Sequence, residues 1–171
     1  LQSAHIFKIK GEFKAESEQM EGEFQFGPIG NSVLFSYKTD LEELTSYLLQ
    51  NSFNPGAPLE ALKAQAVLYR TALLFQLETQ GARLENFGDL KFGRISPVFK
   101  EAVTATRNQV LVRNNEFYYN SNFSLKEISR PRAGIVPLAQ AEYTYQEIIN
   151  YYYDRAQLAN LTELRDSEIK F

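Results

Sequence analysis

Residues 58–74, PLEALKAQAVLYRTALL, decide how the rest of this chain is read. Proline suits the first turn of a helix, where its missing N–H would have no partner anyway. From Leu59 the residues LEALKAQAVLYRTALLFQLET contain neither glycine nor proline, so a helix over about 58–78 can run for roughly 30 Å at ~1.5 Å rise per residue. On a wheel at ~100° per residue, Leu59, Leu62, Ala66, Tyr69, Leu73 and Leu77 form one apolar stripe. Ala61, Ala64, Leu68, Ala72 and Phe75 form a second stripe opposite it. A helix apolar on two sides sits between layers, and its alanines let neighbours approach closely. Such a helix is expected to be the most buried one and to touch the strands near 109–119.

The flanking segments supply those layers. Before the central helix, Asp40 followed three residues later by Glu43 reads as a capping box, and Leu41, Leu44, Leu48 and Leu49 fall at helical spacing. That helix reaches about Gln50 and is ended by NSFNPGA. After the central helix, a further one starts near Ser96 and Pro97, VLVRNNEFYYN reads as a hairpin turned at Asn114 and Asn115, and AEYTYQEIINYYYD reads as a helix with Tyr145, Ile148, Ile149 and Tyr152 on its core stripe. The first 37 residues are strands: HIFKIKGEFKAE, GEFQFG and SVLFSY, with GPIGN as a turn. The closing RDSEIKF is a polar tail. The order predicts an α+β fold with a largely antiparallel sheet packed around a central buried helix. Residues 1–38 form an N-terminal β region and 39–171 a core, together one compact domain.

Composition narrows the function. A chain of 171 residues, 44% hydrophobic and 23% charged, can bury a real core. Its formal net charge of −3, with Lys and Arg scattered, argues against nucleic acid as a partner. The absence of cysteine excludes disulfides, thiolate nucleophiles and cysteine-based metal sites. No run approaches the ~18 apolar residues of a membrane span, and any signal or anchor is expected before Leu1, outside this chain.

Most catalytic constellations are missing as well. There is no Gly-rich phosphate loop, no Gly-x-Ser-x-Gly elbow and no His-Glu-x-x-His pattern. His5 is the only histidine and lies among strand residues, so a serine–histidine hydrolase is set aside. No metal or cofactor is expected. Carboxylates alone can run glycan chemistry, and the acids that qualify are Glu21, Glu23, Glu42, Glu43 and Glu60. Each also has an ordinary role on a solvated face or a helix cap; Glu43 belongs to the capping box and Glu60 to a first turn, where negative charge meets the positive end of the helix dipole.

The stretch LEELTSYLLQNSFNPGAPLEALKAQAVLYRTALL, residues 41–74, resembles the core signature of the stage II sporulation protein D (SpoIID) family, which includes the amidase enhancer LytB. There a helix beginning Leu-Glu-Glu leads into Ser-Glu-Met-Pro, then Leu-Glu-Ala-Leu-Lys-Ala-Gln-Ala-Val and Ala-Arg-Thr. The match fixes polar Lys63, Gln65, Arg70 and Thr71 along with the apolar frame. EAVTATRNQVL, residues 101–111, is similar to the family's Ala-Val-x-x-Thr-x-Gly-x-Val-Leu. EFYYNSN resembles a strand reading Tyr-Tyr-His-Ser/Ala-Ser, and PRAGIVPLAQAEYTYQEIINYYY resembles a closing Ser-Gln-Tyr-Gly-Ala segment with its Ser-Tyr-Glu-Glu-Ile-Leu-x-x-Tyr-Tyr helix. The matches are collinear from about Thr39 to Tyr153.

The resemblance implies lytic transglycosylation of peptidoglycan glycan strands freed of their peptides, in which a glutamate protonates the glycosidic oxygen. Counted back without a gap from Leu59, that glutamate falls on Ser52. The family's histidine falls on Asn120, its Gln on Arg132, and its Gly-His-Gly-Val-Gly-Met loop has no counterpart in SLKEISRPR. Losing several parts of one site implies a degenerate member without a catalytic residue, in which the central helix is kept for the fold. It implies an extracytoplasmic protein of the bacterial envelope whose partner is glycan or a cell-wall protein such as an active hydrolase under its control. The alternative is a transglycosylase with a displaced acid, Glu42, Glu43 or Glu60. A surviving cleft would be lined by Asn51, Ser52, Arg70, Tyr119, Asn120, Ser121 and Arg132, with Tyr118 or Tyr119 as the ring that stacks on sugar. For Arg70 the structural role, an ion pair with a nearby carboxylate, is favoured, because an unpaired buried charge is costly.

Overall fold

Asp40 starts the first helix, α1 (Leu41–Ser52), by accepting the backbone N–H of Glu43 on its carboxylate at 2.7 Å. The computed structural model describes residues 6–10, 23–29, 32–80, 83–85, 93–114, 116–118, 134–153 and 155–166. At its other end α1 closes on its own side chains: Asn51 Nδ2 donates to the Tyr47 carbonyl and Ser52 Oγ to that of Leu48. Asn54 then turns the chain, its carboxamide oxygen accepting from Gly56 N at 3.0 Å.

The central helix, α2 (Leu59–Gln80), follows. Every residue from Ala61 to Leu74 except Lys63 is buried. One stripe, Leu62, Ala66, Tyr69 and Leu73, packs with Leu44, Leu48 and Leu49 of α1 and with Phe99 and Val103 of α3 (Pro97–Ala105). Ala72 joins this side rather than the opposite one. The second stripe, Ala61, Ala64 and Leu68, packs on Leu111, on Ile135 of α4 (Ile135–Gln140) and on Ile148 and Ile149 of α5 (Tyr145–Tyr152). Toward its C-terminal end Leu74 meets Val110, Val112, Phe117 and Leu164. The two-sided pattern therefore has its expected cause: α2 is covered by helices on one side and by strands and helices on the other.

Two sheets complete the fold. In the first, β1 (Ile6–Lys10), β2 (Glu23–Ile29), β3 (Ser32–Lys38) and β4 (Arg83–Glu85) lie in the order β2-β3-β1-β4. β3 is antiparallel to both neighbours, while β1 and β4 are parallel, Lys8 opposite Arg83. The β2–β3 ladder continues through Gly27, Pro28 and Ile29, which the sequence assigns to a turn. Proline is tolerated there because β2 is an edge strand. The second sheet is antiparallel, ordered β6-β5-β7, from β5 (Gln109–Arg113), β6 (Glu116–Phe117) and β7 (Gln157–Asn160), and a last helix, α6 (Leu161–Asp166), follows it. The protein is thus α+β.

Two details explain residues of the matched segments. Asn108, where the related segment has glycine, has φ 62°, a left-handed conformation that asparagine tolerates better than most side chains. Gly134 precedes α4, and a Cβ built there would stand 1.7 Å from the Tyr152 hydroxyl oxygen and 3.1 Å from the ring carbon that bears it. Glycine is needed at 134 because α5 brings a tyrosine against its backbone. Gly134→Ala is expected to cost about 1–3 kcal/mol, and adding Tyr152→Phe should recover much of that loss. Urea unfolding of the single and double variants checks both.

Candidate functional site

The C-terminal end of α1 and the middle of α2 meet at Ser52, the position on which the resemblance would place an acid. Tyr69, fully buried, donates its hydroxyl to Ser52 Oγ at 2.5 Å, and Ser52 donates onward to the Leu48 carbonyl at 2.7 Å. Burial pushes the Tyr69 phenol above the ordinary tyrosine range, more than the Ser52 bond lowers it. The phenol therefore stays protonated, a fixed donor. Position 69 also departs from the matched motif, which has alanine where this chain has Tyr69. The two departures from the resembled motif touch each other: the Tyr69 phenol reaches the Ser52 hydroxyl.

The three candidate acids whose side chains are described, Glu42, Glu43 and Glu60, are occupied by other work. Glu42 accepts from Arg70 Nε at 2.9 Å and from Nη2 at 2.5 Å. Arg70 itself is fully buried and donates further to the carbonyls of Thr106 and Gln109, both at 2.9 Å, and to that of Val103 at 3.4 Å. One guanidinium so joins α1, α2, the end of α3 and the start of β5. Glu43 accepts the Thr39 hydroxyl at 2.7 Å, so its carboxylate reaches past the cap residue. Glu60 accepts Lys63 Nζ at 2.6 Å and the backbone N–H of Tyr145 at 2.7 Å.

The electrostatics of Glu60 run opposite to a proton donor's. Burial acts to raise the Glu60 carboxyl, but the bonds from Lys63 and Tyr145 N and the lysine charge together hold it below its ordinary 4.5. A general acid needs the reverse.

The other expected residues divide in two. Asn51 is exposed on the last turn of α1, beside Ser52. Tyr118 is partly buried and makes a T-shaped contact with Tyr153 at 5.5 Å between centroids, so it packs against the core. Tyr119, Asn120, Ser121, Arg132, His5 and Glu21 lie outside the described residues, and only the backbone of Glu23 is described. Among the described residues no three of His, Cys, Asp and Glu are grouped as metal ligands, and no helix is long and apolar enough to cross a membrane.

Sequence reasoning missed two residues here. Tyr69 was read as apolar stripe, although its hydroxyl, at the motif's alanine position, was the available signal. Gln65 is only 2% exposed, and among the described residues its side-chain oxygen has no hydrogen-bond partner. A polar residue amid α2's apolar faces was the signal in that case.

A family model described as SpoIID, stage II sporulation protein, matches residues 30–113. Comparison with curated proteins and with solved structures finds no match.

The Glu60 geometry carries a pH prediction. Because the folded carboxyl lies below 4.5, its contribution is fully present above that pH and is lost as pH falls through the lowered folded value. Glu60→Gln is expected to cost about 1 kcal/mol at pH 7. The gap between variant and wild type should close on acidification below about 4.5, as urea midpoints at pH 7 and pH 3 would reveal.

Proposed function

This chain belongs to the SpoIID family of stage II sporulation proteins, a family tied to sporulation and the cell wall, and from that membership we propose that it is a non-catalytic wall domain that binds peptidoglycan glycan outside the cytoplasmic membrane. The observation that carries this reading is the Tyr69–Ser52 pair. Where the resemblance calls for a carboxylic acid, the chain has a serine whose oxygen is engaged by a buried phenol. A serine hydroxyl cannot protonate a leaving oxygen at neutral pH as a carboxylic acid of raised pKa does.

The candidate carboxylates among the described side chains support the same reading. Glu42 is spent on a buried arginine, Glu43 on the start of α1, and Glu60 on the start of α5. Glycan binding without cleavage leaves such a domain able to occupy strands, or to present them to an active hydrolase.

Neither the wild type nor Ser52→Glu should cleave. A carboxylate at 52 would face the Tyr69 hydroxyl, and a hydrogen bond donated to a carboxylate favours its charged form. A lost general acid forfeits ~10²–10⁴ in rate, and one substitution does not restore the positioning of sugar and acid. Both proteins, incubated with peptide-free glycan strands, are expected to retain strands on a pull-down and to release no anhydro-sugar fragments by mass spectrometry. Fragments from the wild type would overturn the non-catalytic reading, and an absence of strand binding would move the role to a protein partner.

A further inference from the structure

The first sheet gathers charges that lie far apart in the chain. Along a β-strand successive residues alternate between faces, and residues directly opposite on neighbouring strands share one. The register therefore places Phe7, Phe24, Phe26, Phe35 and Tyr37 on one face and every charged residue of β1–β4 on the other. On the charged face Glu23 stands opposite Lys38, and Lys10 opposite Glu85. Each of these is a matched cross-strand pair. Lys8 stands opposite Arg83 instead, two cationic residues on strands ~4.8 Å apart.

Like charges directly opposite each other destabilise a sheet. The mismatch is confined to one row, in which Ser36 of β3 is the register partner of Lys8 on its other side. Ser36, Lys8 and Arg83, one from each of three neighbouring strands, thus bring a hydroxyl, an ammonium and a guanidinium to consecutive positions across β3, β1 and β4.

We propose that this row binds a phosphoryl group, as free phosphate or as the terminal group of a phosphomonoester. Such a group carries about −1.5 to −2 charge at pH 7 and three acceptor oxygens. Two cations balance that charge, and three donor residues match the oxygens. A carboxylate, with a single charge, would leave one cation uncompensated. The planar fork of an arginine can engage two phosphate oxygens at once, and a lysine supplies a compact second charge. Nucleic acid fits less well, because no aromatic residue of these strands shares the charged face and bases would have nothing to stack on. The row belongs to β1, β3 and β4, so it is independent of the glycan reading, which rests on α1 and α2.

Phosphorus NMR titrations of the protein with inorganic phosphate and with phenyl phosphate, at neutral pH and constant ionic strength, test the site directly. The wild type is expected to bind, and an equal concentration of acetate should not displace the phosphoryl group. Lys8→Gln and Arg83→Gln should each weaken binding about tenfold or more, the worth of one hydrogen bond to a charged group. Without phosphate both variants should unfold in urea no earlier than the wild type, because each removes the like-charge pair, and added phosphate should raise the midpoint of the wild type alone. Should one variant fail to fold, the other carries the comparison. Tighter binding of phenyl phosphate marks a phosphorylated ligand as the source, and tighter binding of inorganic phosphate marks the free ion; either supports the site. Binding of neither, displacement by equal acetate, or undiminished binding by the variants overturns it and leaves the glycan reading untouched.

Discussion

A single buried guanidinium ties this fold together. Arg70 has no exposed surface, and it faces a carboxylate on α1 and backbone carbonyls at the end of α3 and the start of β5. Taking a charge out of water is expensive, and only a close counter-charge with well-placed hydrogen bonds compensates for it. Arg70 can therefore be buried only if α1, α3 and β5 sit where they do around α2. Lysine, a point charge without the planar fork, could not serve all of these acceptors at once. The apolar stripes bring the layers together, while the arginine fixes how they are aligned.

This separates the residues kept for folding from those that chemistry would require. Arg70 and Thr71 each join α2 to another element, so losing either breaks a joint whether or not a reaction takes place. Position 52 is different. Its side chain touches the end of its own helix and the Tyr69 hydroxyl, contacts that a serine can make. A scaffold can vary there and stay folded, so a signature that specifies the core does not by itself fix the side chain at position 52. Gln65 fits neither group easily, because it is buried as a folding residue would be and yet its side-chain oxygen finds no hydrogen-bond donor among the described residues.

Much of this was legible in the sequence, and the gaps have physical causes. The two stripes of α2, the Asp40 cap, the start of α3 at Ser96 and the turn at Asn114 all follow from local periodicity or turn chemistry, and they appear close to where they were expected. α4, β7 and α6 were not read. α4 is six residues long with Pro137 inside it, and the four residues of β7 form a strand only because β5 offers an edge to pair with. Ser52 could be found by counting along the motif. That Tyr69 reaches it, that Glu42 is the partner of Arg70 across 28 positions, and that the Gln65 side-chain oxygen has none among the described residues all depend on where side chains from different elements meet. No spacing rule within one helix carries that information.

The most direct test of the arginine's role is a double-mutant cycle on its pairing with Glu42, read by urea unfolding. Glu42→Gln leaves the buried guanidinium without its counter-charge and is expected to cost about 3 kcal/mol or more. Adding Arg70→Met removes that stranded charge, so the double variant should lose clearly less than the sum of the two single losses, with a coupling of at least about 1 kcal/mol. A Glu42→Gln loss below about 0.5 kcal/mol, or strict additivity, would contradict the account, because the guanidinium would then be an incidental passenger in a core held by apolar packing alone.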